Sequence, residues 1–198
     1  MNLPNRLTVS RFVLTAIFLW AVFSRSPLND TLALVFFCLA SLTDLLDGII
    51  ARRRGLITNF GMLMDPLADK ILICSAFIAL VERGRLFPGT EVKVGAWMVV
   101  VIVARELAIT GLRLLAASKN VVLAAERYGK YKTISQITCI IALLVLDAYN
   151  EWWPWLQSLF APWTPVFARL ALWVAVILTA TSGVQYLWRN REVYLKDL

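Results

Sequence analysis

The chain alternates between apolar stretches long enough to cross a bilayer and short segments where charges collect. A hydrocarbon core needs about 20 apolar residues of helix. By that measure spans are predicted at about 11–24, 31–52, 61–81, 94–117, 131–149 and 166–188. The last carries a clean uncharged run from Leu170 to Trp188, whereas the second, third and fourth each join an uncharged stretch to a charged portion. Residues 3–10 are polar and amphipathic rather than a charged start before an apolar run. They read as a short N-terminal interfacial helix leading into the first span, not a cleaved signal. The expected architecture is an all-α integral membrane protein of six transmembrane helices, a single domain over 1–198.

Composition narrows the function classes. Of 198 residues, 60% are apolar and 17% charged, and mean hydropathy is +0.71. Soluble domains run at about 45–50% and about 25%, so a soluble enzyme, a disordered chain and a disulfide scaffold are all poor readings. Cys38, Cys74 and Cys139 are odd in number and sit in apolar stretches, where packing is their expected role. Histidine is absent, which removes imidazole bases and ligands and leaves chemistry to carboxylates, Lys, Arg, Tyr, Ser, Thr or Cys.

The net charge of +7 points to positive-inside topology and anionic headgroups, not to nucleic acid. With the N-terminus inside, twelve Lys and Arg fall on inner segments and four on outer ones. That places both termini in the cytoplasm of a multi-pass protein in the cell inner membrane. Trp152, Trp153, Trp155 and Trp163 then sit in the outer 150–165 connection, as interfacial aromatics do. The same topology gathers the intramembrane charges near one face: Asp44 and Asp47, Asp65, Asp69 and Lys70, then Arg105, Glu106 and Arg113, then Lys130 and Lys132. A cytoplasmic-side polar cavity is the expected result.

The central motif is Asp44-Leu-Leu-Asp47-Gly48-Ile-Ile-Ala51-Arg52, eight residues, then Gly61-Met-Leu-Met-Asp65-Pro66-Leu-Ala-Asp69. On helices, Asp44 and Asp47 share one face and Asp65 and Asp69 another. Four carboxylates in a low-dielectric site repel one another unless cations intervene. Carboxylate oxygens without His or Cys suit two hard divalent cations, Mg²⁺ or Mn²⁺, and so a two-metal phosphoryl-transfer site. Gly48, Ala51 and Gly61 lie near the Asp-bearing faces, where small residues permit close helix packing or a ligand against backbone. Asp65-Pro66 also reads as a helix start, which would make Asp65 a cap.

The run Asp-x2-Asp-Gly-x2-Ala-Arg-x8-Gly-x3-Asp-x3-Asp resembles the signature of the CDP-alcohol phosphotransferase family at every fixed position. The resemblance implies a homodimeric helical membrane enzyme that moves a phosphatidyl group from CDP-diacylglycerol to an alcohol and releases CMP. It implies metal ligation by Asp44, Asp47, Asp65 and Asp69, with Asp69 also the general base. Gly48, Ala51, Arg52 and Gly61 would line the CDP-diacylglycerol pocket. Three further pieces are similar to the bacterial phosphatidylglycerophosphate synthase branch: Asn5-x2-Thr8-x2-Arg11, Ala104-Arg105-Glu106-Leu107 through Arg113, and Gly129-Lys130-Tyr131-Lys132-Thr133 with Gln136. Residues 141–198 carry no such marker.

A dianionic acceptor such as glycerol 3-phosphate needs fixed cations, and Arg105, Arg113, Lys130 and Lys132 are the candidates. Arg105 and Arg113 stand about 80° apart around a helix. Glu106 and Arg113 fall nearly on one stripe, so Glu106 is expected to orient an arginine. Headgroup anchoring is the competing role for these cations. Competing functions are the same reaction with serine, inositol phosphate or phosphatidylglycerol as acceptor, a cation or proton-coupled transporter, and a structural subunit. A transporter typically shows internal repeats with interrupted midplane spans, and no repeat is seen here.

Overall fold

A computed structural model describes residues 3–24, 28–54, 59–83, 92–119, 121, 123 and 127–195. Among them six helices of 21 to 26 residues occupy the predicted stretches: α1 (Leu3–Phe23), α2 (Asn29–Arg54), α3 (Asn59–Arg83), α4 (Ala96–Ser118), α5 (Arg127–Ala148) and α7 (Thr164–Arg189). Short helices α6 (Pro154–Phe160) and α8 (Glu192–Leu195) complete the order. No strand occurs among the described residues. The segment expected as a separate interfacial helix is the first two turns of α1, because nothing in residues 3–10 breaks the helical hydrogen-bond ladder.

The helices pack by the faces their periodicity dictates. On α1 the buried positions are Thr8, Arg11, Thr15, Phe18, Ala21 and Val22, the three-and-four spacing of one helical face. Phe18 meets Phe37 of α2 with ring centroids 5.6 Å apart. α1 lies against α2 and α3, α5 against α2 and α7, and α4 against α3 and α7. α5 is central: Cys139, Ile140, Leu143 and Leu144 are all fully buried. Buried alanines at 21, 33, 40, 76, 79, 168 and 175 let neighbouring backbones come close, which in lipid replaces the hydrophobic drive as the source of helix association. Gln136 Nε2 donates to Thr179 Oγ1 at 2.9 Å across α5 and α7, a contact worth about 0.6–2 kcal/mol between helices in lipid.

The outside of this bundle is apolar. Val35, Leu39, Leu42 and Leu45 on α2, Val100, Leu107 and Leu114 on α4, and Leu170, Trp173, Val174, Ile177 and Val184 on α7 are exposed. A soluble protein of this size does not carry apolar surface on every flank. Two helical stretches, Gly129–Glu151 and Thr164–Arg189, are long and apolar enough to cross a membrane by length and composition. The chain is a membrane protein.

Polar networks close the bundle at both ends. At one end, Arg83 pairs with Asp30 and lies 3.5 Å from Asp147 Oδ2, while its Nε donates to the Val22 carbonyl at 2.9 Å. Glu151 caps α2 there, its carboxylate accepting from the Asp30 and Thr31 backbone N–H at 3.1 and 2.8 Å. Trp152 Nε1 donates to Thr31 Oγ1 at 3.0 Å, and Trp153, Trp155 and Trp163 are exposed beside it. The opposite end holds the site.

Candidate functional site

Asp44 and Asp69 lie in α2 and α3, among the elements that surround buried Arg11. Arg11 Nη1 stands 2.9 Å from Asp44 Oδ1, with the arginine side chain 0% and the aspartate side chain 41% exposed. The pairing explains how an arginine survives in the interior: its charge is met by a carboxylate that itself faces outward. Asp69 is partly buried and lies within electrostatic reach of Asp44, Lys132, Arg11 and Glu106.

A cavity of about 350 Å³ opens next to Asp69. Lys70 of α3, Arg105, Glu106, Ile109, Thr110 and Arg113 of α4, and Gly129, Lys130, Lys132 and Thr133 of α5 form the rest of its wall. All four residues expected to hold the acceptor phosphate therefore stand in one cavity with the expected base. Five cationic side chains face two carboxylates there, so the cavity favours an anion.

Glu106 organises those cations. Its Oε1 accepts from Lys132 Nζ at 2.5 Å and from Arg105 Nη1 at 3.2 Å. The side chains of Lys132 and Glu106 are 5% and 8% exposed, a desolvated pair. Glu106 does orient an arginine, as expected, but the arginine is Arg105 and not Arg113 on the shared stripe. Seven residues are about 10 Å along a helix axis, too far for a direct contact, and Glu106 takes its own neighbour and a residue of α5 instead. Arg113 turns to α7, where its Nε donates to Tyr186 Oη at 3.3 Å and its guanidinium lies 5.6 Å over the Tyr186 ring. Lys70 donates to Thr110 Oγ1, which in turn donates to the Glu106 carbonyl at 2.7 Å.

The backbone settles one further alternative. α3 begins at Asn59, so Asp65 and Pro66 are interior helical residues and Asp65 is not a cap. The side chains of Asp47, Gly48, Ala51, Arg52, Gly61 and Asp65 lie outside the described residues, although their backbones belong to α2 and α3. Among the described residues no group of three or more His, Cys, Asp or Glu forms a metal site. The two described members of the motif, Asp44 and Asp69, supply oxygen donors with no histidine in the chain, a donor set that fits a hard divalent cation.

Sequence reasoning misses three contributors. Arg11 enters it only as a branch marker, and its place on the buried face of α1 is the available signal. Tyr186 and Gly183 come from α7, where no motif draws attention.

Known proteins bear on these observations. A relative from Bacillus subtilis is 40% identical over 96% of both chains and is named CDP-diacylglycerol–glycerol-3-phosphate 3-phosphatidyltransferase. One of the same name from Rickettsia felis is 32% identical over 93% of each chain. A Mycobacterium tuberculosis protein, named "Probable phosphatidylglycerophosphate synthase", is 37% identical over 95% of this chain and 81% of its own. The family model for CDP-alcohol phosphatidyltransferase matches residues 1–181, a stretch that takes in both the aspartate-bearing helices and the cationic cavity beside them. With that coverage, the chain belongs to the CDP-alcohol phosphatidyltransferase family.

Proposed function

We propose that the chain transfers the phosphatidyl group of CDP-diacylglycerol to glycerol 3-phosphate, giving phosphatidylglycerol phosphate and CMP. One observation carries the choice of acceptor: Asp69 shares a single cavity with Arg105, Arg113, Lys130 and Lys132. A phosphorylated alcohol bound by those cations presents its hydroxyl toward a carboxylate. The names of the relatives point to the same acceptor.

In this reading Asp69 takes the proton from the glycerol hydroxyl, whose oxygen attacks the phosphatidyl phosphorus. The bond from that phosphorus to the bridging oxygen breaks, and CMP leaves with the electron pair. Arg105, Arg113, Lys130 and Lys132 hold the acceptor phosphate and orient the nucleophile, so much of the rate comes from positioning. Asp44, Asp47, Asp65 and Asp69 are the residues that would hold two divalent cations, Mg²⁺ or Mn²⁺, which supply charge stabilisation to the pyrophosphate when bound. Gly48, Ala51, Arg52 and Gly61 form the nucleotide pocket of CDP-diacylglycerol.

The six long helices cross the inner membrane as one domain over 1–198. Both termini and the cavity face the cytoplasm, where glycerol 3-phosphate and the nucleotide are soluble, and the apolar flanks meet membrane lipids or the second copy of a homodimer. The apolar exterior and the exposed tryptophans support a bundle that crosses a membrane, and the excess of Lys and Arg on the segments read as inner supports that orientation.

The test is an acceptor panel with protein purified in detergent, CDP-diacylglycerol and Mg²⁺, read as CMP release. Release should depend on glycerol 3-phosphate and be weak with glycerol, serine, inositol or inositol phosphate. Turnover with serine but not glycerol 3-phosphate would move the chain to another acceptor, and no CMP release with any acceptor would favour a transporter.

A further inference from the structure

Arg105 reaches the cavity by laying its stem against α7 at Gly183. A Cβ placed on Gly183 would stand 2.7 Å from Arg105 Cγ, 3.6 Å from its Cβ and 3.9 Å from its Cδ. Carbon atoms in contact sit about 3.5–4.0 Å apart, so the first of these distances is a collision. Gly183 is buried and lies well inside α7. The usual reading of a buried glycine between two membrane helices is close backbone approach. Here the three nearest atoms to the added carbon all belong to the Arg105 side chain, and none to the α4 backbone. The room that the missing side chain leaves is occupied by an arginine.

The identity of the colliding atom sets the consequence. Cγ is near the root of the side chain, so it cannot move aside without a change of χ1, and such a change swings the guanidinium by several ångströms. That guanidinium is fixed at its far end by Glu106, with Nη1 at 3.2 Å from Oε1, and its side chain is 12% exposed. Arg105 is thus clamped between Gly183 at the stem and Glu106 at the head, and it lines the same cavity as Asp69.

We propose that Gly183 of α7 is a positioning residue for the acceptor: by lacking a side chain it sets the path of Arg105 and hence the place of the acceptor phosphate. The inference rests on the reading of Arg105 as an acceptor contact. It gives a part in the reaction to the C-terminal span, which carries no motif.

The experiment is a double-mutant cycle on the full chain in detergent, with CMP release measured while each substrate is varied in turn. Gly183→Ala should raise the KM for glycerol 3-phosphate about ten- to a hundredfold, the scale of a misplaced binding group, and leave the KM for CDP-diacylglycerol within about twofold. In an Arg105→Ala background the same change should add less than about twofold, because the atom it strikes is gone. Equal losses in both backgrounds would overturn the proposal and make Gly183 a packing residue, as would a shift confined to the donor. If Gly183→Ala gives no folded protein, Arg105→Ala/Gly183→Ala decides: recovery of folded protein supports the contact, and failure to recover overturns it. The wild-type measurement stands apart, since CMP release that is indifferent to glycerol 3-phosphate overturns the acceptor reading before any variant is considered.

Discussion

Glu106→Gln perturbs the site at its most desolvated point. The wild-type carboxylate accepts from Lys132 of α5 at 2.5 Å and from Arg105 at 3.2 Å, and Lys132 is only 5% exposed. Removing one member of a buried ion pair costs about 3–5 kcal/mol when nothing replaces it. Glutamine keeps an acceptor oxygen in place, and Asp69 lies within reach of Lys132, so the cost falls to about 2–3 kcal/mol. A chain of this size loses about 2–4 °C of melting temperature per kcal/mol, which puts the expected drop at roughly 5–10 °C. The assay is thermal unfolding of the detergent-purified protein with and without glycerol 3-phosphate. A dianionic phosphate in the cavity supplies the negative charge that glutamine lacks. Saturating acceptor should therefore raise the melting temperature of the variant more than that of the wild type. A variant melting within about a degree of wild type would show that the pair is not desolvated. Equal shifts with acceptor would show that the phosphate does not reach Lys132 or Arg105.

Arg105→Ala should lower kcat/KM for glycerol 3-phosphate about ten- to a hundredfold, and Arg113→Ala only about three- to tenfold. Arg105 is 12% exposed and clamped, whereas Arg113 is exposed and shared with Tyr186; equal losses, or an effect on the CDP-diacylglycerol KM, would contradict this placement. EDTA should abolish CMP release and Mg²⁺ or Mn²⁺ restore it, while Asp69→Asn should stay at least about a hundredfold slower in saturating metal; full activity in excess EDTA sinks the metal reading. Glu151→Ala removes the cap on α2 at the far end of the bundle and should destabilise the protein by about 1–2 kcal/mol. Both KM values should hold, and a changed acceptor KM would mean that the two polar ends are coupled.

Much of this molecule is written along the chain. Helix positions follow from apolar runs of span length, because in a bilayer a backbone must bond to itself and a helix is the local way to do so. The aspartate motif predicts which helices carry the chemistry, since spacings of three and four put carboxylates on one face whatever the surroundings. The alternating span directions expected from the sequence predict that Asp69, Arg105, Arg113, Lys130 and Lys132 meet at one end, and the structure places all five in one cavity. Partner choice across helices is another matter. Glu106 pairs with Lys132, 26 residues away, rather than with Arg113 on its own helix. Arg11 meets Asp44, and α7 enters the site through Tyr186 and Gly183. Periodicity reveals which face of a helix is buried but not which neighbour it is buried against; that depends on crossing angles and rotations set by every packed side chain at once. A glycine that makes room for an arginine looks, in one dimension, the same as a glycine that makes room for a helix.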